Sequence, residues 1–116
     1  MSDEPRTPGT TTIAPGVLMT IARLTTLSVP GVHHLSTVPG GVNRLFKRNI
    51  AEGVFIKVED GLVNVDLHVV LHPDTDVRLV SRTIQAEVSR AITEMVGMAV
   101  GRINVHIEDI GYPTQE

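Results

Sequence analysis

The sequence of 116 residues contains no cysteine and no tryptophan, and it has few aromatic side chains: two phenylalanines and one tyrosine. Without cysteine, disulfides, thiol catalysis and cysteine-based metal sites are excluded. With so few aromatic rings, the core must be built from valine, leucine, isoleucine and methionine. A platform of aromatic side chains for stacking nucleic-acid bases is also missing.

Long apolar runs and an excess of positive charge are missing as well. No apolar run approaches the about 20 residues that span a bilayer, and the chain does not open with the basic and apolar regions of a secretory signal. The net charge is −3, whereas broad nucleic-acid binding requires a basic surface that displaces counterions. We therefore expect a cytoplasmic chain with no direct membrane insertion and no nucleic acid as partner.

Sequence motifs of catalysis are missing too. The Gly40-Gly41 pair is not followed by the Lys-Ser or Lys-Thr of a phosphate-binding loop. The sequence contains no nucleophile elbow and no zincin signature, and the serines at positions 28, 36, 81 and 89 have no acidic and basic neighbours at suggestive spacing. We predict that the chain is not an enzyme and uses no cofactor.

The composition is that of one globular domain. Hydrophobic residues make up 41% and charged residues 20% of the chain, so a packed core is feasible. We predict a disordered N-terminal arm at 1–12, rich in Thr, Pro and Gly, a single domain at 13–110, and a frayed tail at 111–116.

Two segments have helical periodicity. The first helix begins at Pro15 and ends near Ser28, and the second begins after the N-cap residue Asp76 and ends at Gly97. The predicted inward positions of the first helix are Leu18, Ile21, Ala22 and Thr25, widened by Leu24 and Leu27. Those of the second helix are Val77, Val80, Ile84, Val88, Ala91, Ile92 and Met95.

Strand periodicity is found in three segments, 54–58, 63–71 and 103–107, where apolar and polar residues alternate. The Asp60-Gly61 pair predicts a type I′ hairpin turn between the first two. A short strand at 32–37 and a helical turn at 42–49 complete the prediction.

These elements predict an α+β fold, a two-layer sandwich with the order helix, strand, strand, strand, helix, strand. The strand–helix–strand unit at 62–108 requires parallel strands, so the sheet is mixed. Because each strand has one strongly apolar face, both helices are expected on that face. The other face of the sheet is left polar and accessible.

Histidines are predicted on this polar face. His68 and His72 are separated by about 13 Å along one strand, too far to share a metal ion. A pair of His106 with His68 or His72, with Asp66 or Glu108 as third ligand, is a metal-site hypothesis; the competing interpretation, which the sequence favours, is a solvated polar face without a specific metal site. His33 and His34 are expected to point to opposite sides of an extended strand.

A basic segment at 44–48 surrounds two apolar residues. Arg44, Lys47 and Arg48 flank Leu45 and Phe46. One hypothesis is a docking site for an acidic partner or anionic headgroups, although three charges are fewer than the about 4–8 of typical lipid-binding clusters. The competing interpretation is an ordinary solvated helical segment with two apolar anchors, in which Phe46 closes the bottom of the core.

The order of several short motifs resembles the alkaline shock protein family. The motifs, in chain order, are Ile13-Ala14-Pro15, Lys47 to Gly53, Glu59-Asp60-Gly61, Val65-Asp66-Leu67, Ile84-Gln85 with 88–100, and Ile103-Asn104-Val105-His106. The resemblance covers about residues 12 to 109. The sequence departs from the family pattern at Gly16, where an acidic residue is usual, and at His68, where an aromatic is frequent.

The resemblance implies an envelope stress response protein of bacteria, an interaction or scaffolding domain without catalytic activity. It also implies a homo-oligomer that docks to a membrane-anchored envelope protein, and a location at the inner face of the membrane through that partner. The alternative function is a small ligand- or metal-binding module that uses the histidines. The predicted interaction residues are Arg44, Leu45, Phe46, Lys47, Arg48, Phe55, His68, Val70 and His106.

Overall fold

The computed structural model describes residues 9–36, 50, 51 and 53–110. The elements are α1 (Pro15–Leu27), β1 (Val32–Leu35), β2 (Ile50–Ala51), β3 (Val54–Glu59), β4 (Leu62–Leu71), α2 (Val77–Val96) and β5 (Ala99–Ile110). The predicted α+β class and the order of its main elements are confirmed, with β2 added and β5 beginning at Ala99 instead of Ile103. The predicted turn at 42–49 and tail at 111–116 lie outside the described residues, and the division into arm, domain and tail stays a prediction.

Local signals in the sequence correctly mark where elements begin and turn. Pro15 starts α1, where its missing N–H is not required. The Asp76 carboxylate accepts a hydrogen bond from the Leu79 N–H over 3.1 Å and caps α2. Asp60 and Gly61 have φ angles of 53° and 77°, the positive values that a type I′ turn requires. These three predictions are confirmed.

Strand β4 is the centre of the sheet. One of its edges pairs with the parallel strand β5 from Leu62 to Leu71. The other edge is divided, because β3 pairs antiparallel with 62–67 and β1 with 69–71. His68 lies at the junction, where its N–H donates to the Gly53 carbonyl over 2.9 Å and its carbonyl accepts from the Ser36 N–H over 2.8 Å.

The core lies between one face of the sheet and the two helices. The inward residues of β4 are Val63, Val65, Leu67, Val69 and Leu71, all fully buried. The helices contribute Leu18, Ala22, Val80, Ile84, Val88 and Ile92 to the same cluster. Inward residues of β5 are partly buried against it. The predicted two-layer arrangement with both helices on one face is confirmed.

The apolar stripe of each helix is narrower than predicted. On α1, Leu24 is 54% and Leu27 is 38% exposed, and on α2, Val77 is 41% and Met95 is 70% exposed. Their assignment to the buried face was wrong. Val77 and Met95 occupy the first and last turns of α2, where a straight helix on a twisted sheet makes fewer contacts than at its middle.

Candidate functional site: the histidine face

The five histidines of the sequence lie on the side of the sheet opposite the helices. Those of β4 and β5 alternate with core residues, so their rings point away from the core. Those of β1 join them beside the end of β4. We call this surface the histidine face, and it comprises His33, His34, Asp66, His68, Val70, His72, Asn104, His106 and Glu108.

His68 and His106 form a stacked pair across the parallel strands. The register of β4 and β5 places them directly opposite each other. Their ring centroids are 4.5 Å apart and the ring planes differ by 14°. Of the two histidine pairs considered from the sequence, the structure therefore brings together His68 and His106, whereas His72 contacts a different ring.

Each ring of the stacked pair bonds to its own carboxylate. His68 Nδ1 lies 2.7 Å from Glu108 Oε2, and His106 Nε2 lies 3.0 Å from Asp66 Oδ1. The Asn104 amide donates to the same Asp66 oxygen over 3.1 Å. An ionised carboxylate only accepts hydrogen bonds, so the contacting ring nitrogens are the ones that carry a proton. The pair is thus a cross-strand hydrogen-bonded network.

His33 and His34 lie on the same side of β1, and the prediction that they point to opposite sides was wrong. The pairing of β1 with β4 shifts register between Val32 and His34, which is a β-bulge or irregularity that breaks the strict alternation of an extended strand. The two Nδ1 atoms are 2.8 Å apart, and the rings meet edge to face at 76°. The His33 ring also lies 4.6 Å from that of His72, tilted by 43°.

The chemistry available on this face is hydrogen bonding, proton exchange and ligation by imidazole nitrogen. Within residues 9–36 and 53–110, no group of three histidine, aspartate or glutamate side chains is already arranged around a metal-sized position. The arrangement resembles a polar recognition surface more than a reaction centre.

The predicted interaction residues have different surroundings. His68 and His106 form the stacked pair, and Phe55 of β3 is half-buried opposite Asp66. Val70 lies opposite His34 and is only 7% exposed, so it is not the accessible apolar contact that the sequence indicated. The segment with Arg44, Leu45, Phe46, Lys47 and Arg48 lies outside the described residues, and its docking role stays a prediction.

A cavity on the helix side of the sheet was not found from the sequence. It measures about 730 Å³, and its lining includes Ile13, Leu18, Ile56, Val58 and Met98. These residues come from α1, β3 and the segments before α1 and after α2, so no periodic signal connects them. Thr11, Thr12 and Lys57 also line it, so its walls combine apolar and polar side chains.

Three comparisons place the chain among known proteins. Residues 3–112 match the alkaline shock protein 23 family, described by a cell envelope-related function. The uncharacterized protein YloU of Bacillus subtilis (strain 168) is 22% identical over 83 residues, which are 71% of this chain and 69% of that protein. A solved structure, the MamM CTD in its copper form, has a TM-score of 0.52 at 12% identity over 87% of this chain and 91% of that one.

Because the sequence identity to the MamM CTD is only 12%, this structural likeness shows a shared fold and nothing about function. Among the helices that the structure describes, none combines the length and the apolar character needed to cross a bilayer. The family match, in contrast, spans nearly the whole chain and confirms the resemblance inferred from the order of the motifs. The chain belongs to the alkaline shock protein 23 family, a family with a cell envelope-related function.

Proposed function

We propose that this chain is a non-enzymatic envelope stress response protein, an interaction domain that self-associates and docks to a membrane-anchored partner. The family is described by an envelope-related function and not by a reaction. The observation that carries the proposal is the outer edge of β5. This 12-residue strand pairs with β4 and with no other strand in the described part of the chain. A free edge is a template for pairing with another chain.

The backbone groups on that edge are identified by the pairing of β4. The N–H and carbonyl of His68 bond toward β1 and β3, so the odd-numbered residues of β4 bond toward β5. In a parallel ladder these hydrogen bonds reach the even-numbered residues of β5. The backbone N–H and carbonyl groups of Ile103, Val105 and Ile107 therefore point toward the outer edge. The Gln85 amide donates to the Ile103 carbonyl over 3.0 Å, but a carbonyl accepts a second bond.

The charges of β5 favour antiparallel pairing with a second copy. If Val105 lies on the two-fold axis, Ile103 is opposite Ile107, and Arg102 is opposite Glu108 in both halves of the interface. Opposite charges in directly opposed positions stabilise a strand pair by about 0.2–1 kcal/mol each. A symmetric pair also consumes the free edge of both copies, so the assembly closes as a dimer.

Complementary charge variants test this interface. Sedimentation velocity over a range of concentrations should show self-association of the native chain. Arg102→Glu alone and Glu108→Arg alone should each weaken it, because each places like charges opposite each other. An equimolar mixture of the two variants should restore association, because it pairs glutamate with arginine at both positions. Arg78→Glu, on the outer face of α2, is the control and should have no effect.

Two results would contradict self-association through β5. One is a native chain that stays monomeric at all concentrations. The other is association that the charge variants leave unchanged or that their mixture fails to restore. Since Glu108 also bonds His68, the melting temperature of each variant should be measured, so that loss of fold is not mistaken for loss of pairing.

Docking to the membrane-anchored partner is proposed to use the histidine face and the 40–50 segment. The outer face of α2 is less suited, because charged residues are depleted from interface cores and this face carries Arg78, Arg82, Arg90, Glu87 and Glu94. The test compares capture of proteins from a membrane fraction by the native chain and by Arg44→Glu, Lys47→Glu and Phe46→Ala. If the charge reversals leave capture unchanged and Phe46→Ala only lowers the melting temperature, the segment is structural.

A further inference from the structure

We propose that the cavity on the helix side of the sheet binds one free fatty acid, with the acyl chain in the cavity and the carboxylate at Lys57. The cavity measures about 730 Å³, within the range of about 300–1,000 Å³ in which proteins hold small ligands. It lies beside β3, and β4 separates it from β5. The proposal is therefore independent of self-association through β5.

The floor of the cavity is apolar and buried. Leu18 of α1 is 2% exposed and Ile56 of β3 is 5% exposed, and both residues line the cavity. Val96 at the end of α2 and Met98 after it line the cavity as well and are partly buried against the core. Such a floor favours an apolar group, because binding removes the surface of that group from water.

The mouth of the cavity is polar on one side. Thr11, Thr12 and Lys57 line it and are exposed. Lys57 also lines a polar depression on the outward face of the sheet, beside Asp66 and Asn104, so this residue lies at the rim between the two. A lysine at such a rim packs its aliphatic stem on apolar surface and keeps its ammonium group in water.

The polar groups at the mouth favour a ligand with an anionic head. Lys57 is the one charged residue among the ten that line the cavity. Its ion pair with Glu59 is long, at 3.6 Å, and both side chains are well exposed. Exposed ion pairs of this kind contribute little, so the ammonium group exchanges readily to a carboxylate at the mouth. The hydroxyls of Thr11 and Thr12 are donors that the same carboxylate accepts.

The apolar part of the ligand is inferred to be a flexible aliphatic chain. None of the ten described residues that line the cavity is aromatic, so a flat ring finds no side chain on which to stack. Met98 has an unbranched side chain that adapts to irregular apolar shapes. Val58 is 49% exposed where the cavity opens to solvent, so a narrow chain reaches the floor without separating the buried residues.

The experiment is calorimetric titration of the full chain with laurate, below the concentration at which laurate forms micelles. We expect one laurate per chain with micromolar affinity. The affinity should rise from octanoate through decanoate to laurate by up to about fourfold for each added methylene. Dodecyltrimethylammonium has the same chain length and the opposite charge. It should bind at least about tenfold more weakly, because it forms no charged hydrogen bonds at the mouth.

Two variants locate the ligand, and each has a matched control. Val58→Trp places a large ring at the mouth and should lower the laurate affinity about tenfold by overpacking the site. Lys57→Gln should lower it about 2–5-fold and should reduce the preference for laurate over dodecyltrimethylammonium. Leu79→Trp, at a position that is 60% exposed on α2, and Arg82→Gln, on the outer face of α2, should leave the affinity unchanged.

The proposal is overturned if laurate binds only in the millimolar range, if Val58→Trp retains the native affinity, or if Leu79→Trp loses as much. It is also overturned if Lys57→Gln keeps the full preference for laurate, or if the chain binds vesicles of anionic phospholipid but not monomeric laurate. Val58 and Lys57 are exposed, so melting temperatures close to native should verify that their variants fold. If Val58→Trp does not fold, the Lys57→Gln result decides.

Discussion

Gly53 and His68 are in direct backbone contact at the point where three strands meet. The His68 N–H donates to the Gly53 carbonyl over 2.9 Å. A Cβ atom on residue 53 would lie 2.8 Å from the His68 carbonyl oxygen and closer still to that of Ser36. The φ angle of Gly53 is +84°. Both the space and the backbone conformation therefore require glycine here, below the stacked pair.

The first prediction compares Gly53→Ala with Gly61→Ala. The φ angles, +84° and +77°, are similar, so both changes carry the left-handed penalty of about 1–2 kcal/mol. Of these two positions, only 53 brings the new Cβ against other atoms. This overpacking adds about 1–3 kcal/mol to the loss of stability. Chemical denaturation should show that Gly53→Ala lowers the free energy of unfolding more. Equal losses at the two positions would contradict the three-strand junction.

The second prediction concerns the core between the sheet and α2. Ile84 and Leu67 are fully buried. Truncation of either to alanine removes apolar contacts and leaves a cavity, so Ile84→Ala and Leu67→Ala should each cost about 2–5 kcal/mol of unfolding free energy. Leu79→Ala is the control, because Leu79 is 60% exposed on the same helix. Losses below about 1 kcal/mol at both buried sites are inconsistent with this packing.

The third prediction concerns a buried hydroxyl in α1. Thr26 is fully buried, and its Oγ1 has no hydrogen-bond partner among the residues described. An unsatisfied buried polar group costs about 1–3 kcal/mol, so Thr26→Val, which keeps the shape, should raise the melting temperature. Thr83→Val is the matched control, because the Thr83 hydroxyl donates to the Leu79 carbonyl over 2.8 Å. If Thr26→Val is destabilising, the hydroxyl has a partner.

The fourth prediction concerns the contact of His68 with Glu108. The two side chains are 17% and 36% exposed, so their interaction is less screened by water than that of Lys57 with Glu59, which are 73% and 59% exposed. A double-mutant cycle with alanine should give a coupling near the upper end of the range of about 0.2–1 kcal/mol for surface pairs. The cycle for Lys57 and Glu59 should give a value near zero. The reverse order would contradict the stronger coupling that we expect of the less exposed pair.

The helices, the hairpin and the core positions of β4 are predictable from the sequence because each has a local cause. Pro15 and Asp76 start helices through their own backbone and side-chain chemistry. The Asp60-Gly61 pair turns the chain because both residues accept positive φ. The alternation from Val63 to Leu71 gives the strand one apolar face, which must be covered by the helices whatever the strand's place in the sheet. The two-layer fold therefore follows from this pattern.

The histidine face is only partly predictable in this way. The alternation of β4 and β5 places His68 and His106 on the outward face, but their stacking depends on the register of two strands separated by α2. That register results from packing of the inward residues against the helices. A short sequence motif within one strand does not specify how that strand aligns with another. The exposure of Leu24 and Met95 has a similar origin, because helical periodicity indicates a face and not the extent of the sheet beneath it.

The sequence by itself determined the class of fold, the family and the outward direction of three histidines, because these depend on residue types and periods along the chain. The tertiary structure decided that His33 and His34 face the same side, since the irregularity arises only where β1 joins β4 beyond the end of β3. It also decided which backbone groups of β5 point away from β4. Both features depend on contacts between segments far apart in sequence, and these form only when the strands meet.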